Sequence, residues 1–324
     1  MPELPEVEII KLGLQKRIIG LKIRKIQVLS PKSFIGNSSL AEDRTILKIW
    51  RRGKLLGMDL AKNRLLAADN SQLVKKEKLR VNRKQLITLL FHLKMSGQLI
   101  WEGSRLKTVG SSKFIGGHPT RNMLDEMPNS HTRVIFSFSD GLHLYFNDQR
   151  KFGWVKIVQG SKLKIKSEEI LGKLGPEPLK KTFTWKILKN NLMKHKSMPV
   201  KVAIMDQSVV AGVGNIYANE ACFDAKIDPC TKVSSMSDKQ FQKLYSGIVR
   251  VLKDGIKYGG STRVHFVDPE GRKGYFLDYA HVYGKEGYPC KRSLRSGGFK
   301  DCFGKIKKIT LGGRGTYLCP NCQK

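Results

Sequence analysis

Val134-Ile-Phe-Ser-Phe-Ser-Asp-Gly-Leu-His-Leu-Tyr-Phe146 is the stretch on which the fold of the first half turns. Apolar and polar residues alternate on either side of Asp140-Gly141, and an Asp-Gly pair between two alternating runs is a strong hairpin signal. Outward from this hairpin, short runs of the same kind recur over 45–50, 54–60, 86–93 and 154–158, so the first half reads as a β sandwich or barrel. Ahead of the strands, residues 6–18 have helix-compatible spacing behind Pro5, a good first-turn residue.

Beyond Gly172 the periodicity becomes helical. Ser237 and Gln240 form a capping-box pattern, Phe241, Leu244, Ile248 and Leu252 fall on one face, and Gly259-Gly260 ends the run. Two further helices are expected over 201–209 and 215–225, separated by Val210-Ala-Gly-Val-Gly214. A lysine-rich linker and Gly175-Pro-Glu-Pro178 mark a boundary near 160–175. The expected organisation is α+β and multidomain: a β-sandwich domain with an N-terminal helix over 1–165, a helical domain over 175–280, and a metal-held appendix over 281–324. Two insert-like stretches, 62–85 and 103–130, interrupt the first half; the former places Lys75, Lys76, Lys78, Arg80, Arg83 and Lys84 around Glu77 and reads as a solvated loop, with a DNA contact as the alternative.

Among 324 residues, 60 are Lys or Arg and 27 Asp or Glu, a formal charge of +33. A compact body this cationic repels itself unless a polyanion is near, and nucleic acid is the commonest one. The charge is spread along the chain with no basic amphipathic helix singled out, which favours an extended phosphate-tracking surface over a membrane. Hydrophobic residues make up 40%, enough for real cores, so wholesale disorder is excluded. No apolar run suits a membrane span and the N-terminus lacks a signal-peptide pattern, so the chain reads as soluble and unsecreted.

Of six cysteines, Cys290, Cys302, Cys319 and Cys322 lie in the last thirty-five residues. Cys319-Pro-Asn-Cys322 can bite one tetrahedral metal from a tight turn, and four thiolates suit one structural zinc. The Cys290 to Cys302 spacing is long for the first half of such a site, so the residues between must loop out; a disulfide or free thiols are the alternatives. Cys222 and Cys230 read as core or bystander thiols.

The opening Met1-Pro2-Glu3-Leu4-Pro5-Glu6 carries a chemical possibility. With Met1 removed, Pro2 offers a secondary amine that is partly neutral at physiological pH and can attack a sugar C1′. The iminium so formed has no nitrogen proton to lose and remains an electron sink. Glu3 next to it can serve as the acid.

Met1-Pro-Glu-Leu-Pro-Glu-Val-Glu8, Arg51-Arg-Gly-Lys54, His92-Leu-Lys-Met-Ser-Gly97, Arg150-Lys-Phe-Gly153, Leu174-Gly-Pro-Glu-Pro-Leu179, Met205-Asp-Gln207, Gly212-Val-Gly-Asn-Ile-Tyr-Ala-Asn-Glu220 and Gly313-Arg-Gly-Thr316 with the terminal cysteines together resemble formamidopyrimidine-DNA glycosylases, in the family's order and over nearly the whole chain. The resemblance implies a β sandwich, a helix-two-turns-helix domain and a zinc finger. It also implies excision of oxidised purines from damaged double-stranded DNA, with strand cleavage by β,δ elimination.

By the same resemblance Pro2 is the Schiff-base nucleophile, Glu3 the proton donor and acceptor, Lys54 an aid to β elimination and Arg314 an aid to δ elimination. Asn215, His131, Lys196 and Lys201 occupy DNA-contact positions, and the N–H groups opening the helix at Asn215 suit phosphate. Met95 and Phe152 would fill the space left by a flipped nucleotide, and Arg150 would meet the widowed base. Residues 259–276 resemble a loop that closes over the extruded purine. The implied setting is a monomer in the cytoplasm, associated with the nucleoid, with neither membrane nor nucleotide cofactor.

Three departures from the family pattern stand out. Gln149 and Lys151 replace a usual Pro and Arg around the filling arginine, which predicts a less rigid loop. Arg263-Val264-His265 differs within the lesion-covering loop, and the first cysteine spacing is unusual. Two rivals remain: an endonuclease VIII-like glycosylase for oxidised pyrimidines, and a noncatalytic binder of damaged DNA on the same scaffold.

Overall fold

The computed structural model describes residues 1–62, 86–103, 113–117, 125–159, 170–261, 276–290 and 302–324. Residues 63–85 of the first insert, much of 103–130, the linker, most of the segment that resembles a lesion-covering loop with Arg263 to His265, and the loop between Cys290 and Cys302 lie outside them. Contacts divide the chain into two units, one holding Met1–Pro2 with Val7–Gly172, the other Glu3–Glu6 with the described residues from Lys173 onward.

In the first unit, helix α1 (Leu4–Ile18) begins at the turn containing Pro5 and carries Val7, Ile10, Leu14 and Ile18, all buried at helical spacing. The sheet has ten strands: β1 (Lys22–Val28), β2 (Phe34–Ile35), β3 (Arg44–Arg52), β4 (Leu55–Ala61), β5 (Ile87–His92), β6 (Gly97–Glu102), β7 (Lys113–Gly117), β8 (Thr132–Phe138), β9 (His143–Asp148) and β10 (Trp154–Gln159). Their order is β2-β10-β5-β4-β3-β1-β8-β9-β6-β7. In the opening hairpin Val134 pairs with Phe146 and Phe136 with Leu144, and Gly141 turns the chain at φ 81°.

β5 and β8 are four ladder steps apart, roughly 19 Å if the sheet were flat. Yet the rings of Phe91 and Phe136 sit 5.8 Å apart, centroid to centroid. The sheet therefore folds over on itself, and the two layers of a sandwich share one core with α1.

The second unit is helical: α2 (Trp185–Leu192), α3 (Val200–Met205), α4 (Asn215–Ala225), α5 (Asp238–Lys257) and α6 (Phe276–Tyr279). Both halves of the Ser237–Gln240 capping box are formed, and Gly259 and Gly260 end α5 in the left-handed region. The helix expected over 201–209 is shorter, because Asp206 takes extended angles and its carboxylate accepts from the N–H and hydroxyl of Ser208. That local bonding competes with the helix and stops it. The C-terminal hairpin pairs β11 (Lys307–Leu311) with β12 (Arg314–Leu318) across Gly312-Gly313, both at positive φ as a two-residue turn requires.

Candidate active site and metal centre

Within the first unit, Pro2 is buried. Lys54 follows Gly53 in the two-residue turn between β3 and β4, where Arg52 pairs with Leu55, and only 8% of it is exposed. Arg51 braces the turn by donating to the Gly53 carbonyl at 3.1 Å and to the Glu8 carboxylate at 2.7 Å. Burial pushes the Glu8 carboxyl up, but hydrogen bonds and charge from Lys11 and Arg51 outweigh it and hold the group below its ordinary range. His92 opens one of the quoted motifs but is not among the residues singled out from sequence. It is held down to about 3 by burial and by the charges of Lys94 and Lys54. Its imidazole is therefore neutral at pH 7, and Nδ1 accepts the Lys94 N–H at 3.0 Å.

The three expected filling residues stand on two loops tied to one carboxylate. Asp148, fully buried, accepts from the Ser96 hydroxyl, the Arg150 N–H at 3.2 Å and the Gly153 N–H at 2.6 Å. Met95 thus lies between the β5 end and Ser96, while Arg150 and Phe152 flank Lys151. Lys94 and Lys151 both adopt positive φ, at 49° and 57°, a costly backbone for a side chain of this kind. The 149–153 loop is held at both ends despite Gln149 and Lys151. Phe152 is 56% exposed, a large ring left in solvent, and the Arg150 guanidinium lies over it at 5.1 Å. His131 is anchored through its backbone, which accepts the Asp148 N–H and donates to Asn129 Oδ1.

In the second unit the organising group is Glu3. Its carboxylate sits at the N-terminus of α4, accepting from Gly214 N–H at 2.6 Å, Ile216 N–H at 2.9 Å and Tyr217 N–H at 3.5 Å. The helix end favours a negative charge there. A Cβ at Gly214 would stand 2.3 Å from the Glu3 carboxyl carbon and would displace the carboxylate from this position. The backbone N–H groups read from sequence as a phosphate cradle are thus partly taken by the protein's own carboxylate. Glu6 continues the network by accepting from Glu3 N–H, the Tyr217 hydroxyl and the N–H of Ser261, the last described residue before 276.

Lys201 is fully buried, unlike the exposed Lys196. Its ammonium donates to Asn215 Oδ1 at 2.5 Å and Thr316 Oγ1 at 3.1 Å. Asn215 donates to the Gly315 carbonyl at 3.1 Å, and Asn219 accepts from Tyr317 N–H at 2.7 Å. Three helix side chains therefore grip three successive residues of the hairpin beside Arg314, which itself is exposed. Burial lowers the Lys201 ammonium to about 8, with Cys222 and Glu3 raising it and Arg314 lowering it further.

The four terminal cysteine sulfurs all lie within 4.8 Å of one another. Sγ separations are 3.8 Å for Cys290 to Cys322 and 3.6 Å for Cys302 to Cys319. Tetrahedral zinc with Zn–S of about 2.3 Å requires edges of about 3.8 Å, so the donor set fits one structural zinc. The unusual Cys290 to Cys302 spacing is no obstacle. Cys222 is a buried core thiol pushed up to about 12 by burial, and Cys230 is exposed.

Comparison with known proteins agrees over the whole length. Residues 1–155 match the formamidopyrimidine-DNA glycosylase N-terminal domain, 174–266 its H2TH domain, and 302–324 a zinc finger found in FPG and IleRS. The formamidopyrimidine-DNA glycosylase of Pelotomaculum thermopropionicum is 34% identical, covering 100% of this chain and 99% of that one. A Lactococcus lactis FPG mutant solved with Fapy-dG containing DNA is 28% identical with a TM-score of 0.76, each chain covered in full. The MutM (Fpg) protein of Thermus thermophilus is 30% identical with a TM-score of 0.73, covering 99% of this chain and 98% of that one. On these matches the chain belongs to the formamidopyrimidine-DNA glycosylase family of enzymes.

Proposed function

We propose that the protein excises oxidised purines, 8-oxoguanine and ring-opened formamidopyrimidines, from duplex DNA and then cleaves the abasic strand. The observation that carries this reading is the Glu3 carboxylate, on the residue next to Pro2 and fixed by backbone N–H groups at the start of α4. Once Met1 is removed, the Pro2 nitrogen attacks C1′ of the flipped nucleotide and the C1′–base bond breaks, the base leaving with a proton. Glu3 supplies and later accepts protons at the sugar. The nitrogen gives up its proton and its lone pair expels O4′ from C1′, Glu3 protonating that oxygen, so the sugar ring opens to an iminium; loss of a C2′ proton sends electrons toward it and expels the 3′ phosphate, and a second elimination expels the 5′ phosphate. Lys54 assists the first elimination and Arg314 the second.

Around this chemistry, Asn215, Lys201, Lys196 and His131 hold the DNA backbone. Met95 and Phe152 enter the gap, and Arg150 meets the opposite base; the exposure of Phe152 supports that role. Zinc at Cys290, Cys302, Cys319 and Cys322 would hold the finger that carries Arg314 and takes no part in bond making. In this role the protein works as a monomer on chromosomal DNA in the cytoplasm.

The decisive experiment is borohydride trapping on duplexes carrying 8-oxoguanine or an oxidised pyrimidine. A covalent adduct with the oxidised purine, absent when the Pro2 nitrogen is acetylated, is expected. Trapping on the pyrimidine alone selects the endonuclease VIII-like alternative, and trapping on neither leaves a noncatalytic binder.

A further inference from the structure

The basic residues of α5 are not accounted for by excision. At 100° per residue, positions 239, 243, 246, 250, 253 and 257 fall within about 40° of one line along the helix. Lys239, Lys243, Arg250, Lys253 and Lys257 fill five of these six positions, Ser246 fills the sixth, and all six are exposed. The line runs opposite the buried face of Phe241, Leu244, Ile248 and Leu252, so α5 is a basic amphipathic helix, which corrects the expectation from sequence that the chain has none. A solvated helix face ordinarily mixes signs, since opposite charges at i,i+4 stabilise it and like charges there destabilise it, by about 0.2 to 0.5 kcal/mol per pair. Here Lys239 and Lys243, and again Lys253 and Lys257, are like-charged i,i+4 pairs. At the helix start, the Asp238 carboxylate is already engaged by Lys189 at 2.5 Å.

The row spans about 27 Å of helix. A cavity of about 390 Å³ opens along its first half, lined by Lys239, Gln242, Lys243, Ser246, Arg250 and one carboxylate, Asp224, which pairs with Arg250 at 3.1 Å. Asp224 lies at the C-terminal end of α4, about 14 Å along the helix from Asn215. The groove is therefore at the opposite end of α4 from Glu3, Asn215 and the finger hairpin.

We propose that this face of α5 is a second nucleic-acid surface, which takes the phosphate backbone of a duplex segment outside the excision site. A row of like charges this long matches a line of phosphates. The surface would hold undamaged DNA loosely and without sequence preference, keeping the protein on a polymer between lesions.

The test combines Lys239→Gln, Lys243→Gln, Arg250→Gln, Lys253→Gln and Lys257→Gln, with far-UV circular dichroism and melting to verify folding. Affinity is measured across a salt series for long undamaged duplex and for a short lesion duplex that only fills the excision site. On the long duplex the slope of log K against log salt should become shallower by about 2 to 4, at about 0.9 for each phosphate no longer neutralised. Affinity and excision on the short duplex should stay within twofold. An unchanged slope on the long duplex in the folded variant would overturn the proposal and leave α5 a solvated face. An equal loss on both duplexes would also overturn it, by making the row part of the excision site. The slope is read on intact DNA, so it stands or falls separately from the excision chemistry.

Discussion

Glu3 and Glu220 are both buried carboxylates of the second unit, each met by three backbone N–H groups, and the proposed function gives them opposite roles. Glu3 sits at the N-terminus of α4, where the helix itself favours negative charge, and adjoins Pro2. Glu220 projects from the middle of the same helix and accepts from His281 at 2.9 Å, Val282 at 3.0 Å and Tyr283 at 2.8 Å, three successive residues leading toward Cys290. Burial raises the Glu220 carboxyl above the ordinary range, its three bonds opposing that only in part. The lesson is that a count of hydrogen bonds does not separate a working carboxylate from a structural one. What separates them is whether the donors need the carboxylate to find their places.

The largest effect expected from this contrast is on Glu3. Glu3→Gln keeps the shape and one acceptor oxygen at the helix end but removes proton transfer, so excision of the base should fall by about 10² to 10⁴-fold. Thermal stability should stay close to wild type, and trapping on a preformed abasic site should persist, because the Pro2 nitrogen is untouched. Single-turnover excision beside a melting curve measures both. A loss of excision matched by a comparable loss of stability would make Glu3 another Glu220.

Glu220 should show the reverse. Glu220→Ala strands three N–H groups, one buried and two partly buried, each costing up to about 1 to 3 kcal/mol and not fully additive, so a loss of about 2 to 4 kcal/mol is expected. Denaturant unfolding measures it, with Glu220→Gln retaining part of the stability. At a temperature where the variant remains folded, excision should fall less than for Glu3→Gln. A Glu220→Ala protein of wild-type stability would show that residues 281–283 hold themselves without the clamp.

The legibility of these features in sequence follows their range. The β8–β9 hairpin and α5 are readable because alternation, Asp140-Gly141 and the Ser237–Gln240 box act over a few residues. The shortened α3 is not, because side-chain bonding at Asp206 and Ser208 overrides a helix-compatible apolar pattern. The grip of Glu3 on Gly214 joins residues 211 apart, and no local pattern announces it. The burial of Lys201 is hidden for a different reason: among 60 basic residues a fully buried one looks like any other until Thr316 and Asn215 are seen around it. His92 does carry a usable signal, a histidine at a strand end within a family motif, two residues before a lysine that takes positive φ.

Lys201 supplies the smallest and most discriminating effect, because stability and binding should move in opposite directions with pH. Its folded value is about 8 against an ordinary 10.5, with burial the chief cause. Between those values the unfolded chain binds more protons than the folded one, so this residue makes stability rise as pH increases through that window. In the proposed role the ammonium, charged below about pH 8, would add to the attraction for phosphate, and the neutral amine above it would not. Affinity for an uncleavable abasic-analogue duplex should therefore fall by about three- to tenfold from roughly pH 7 to 9. Binding, not turnover, is the proper readout, since it does not pass through the chemistry proposed for Pro2. In Lys201→Gln the step near pH 8 should vanish from the affinity profile, and a profile retaining it would assign the titration to another group.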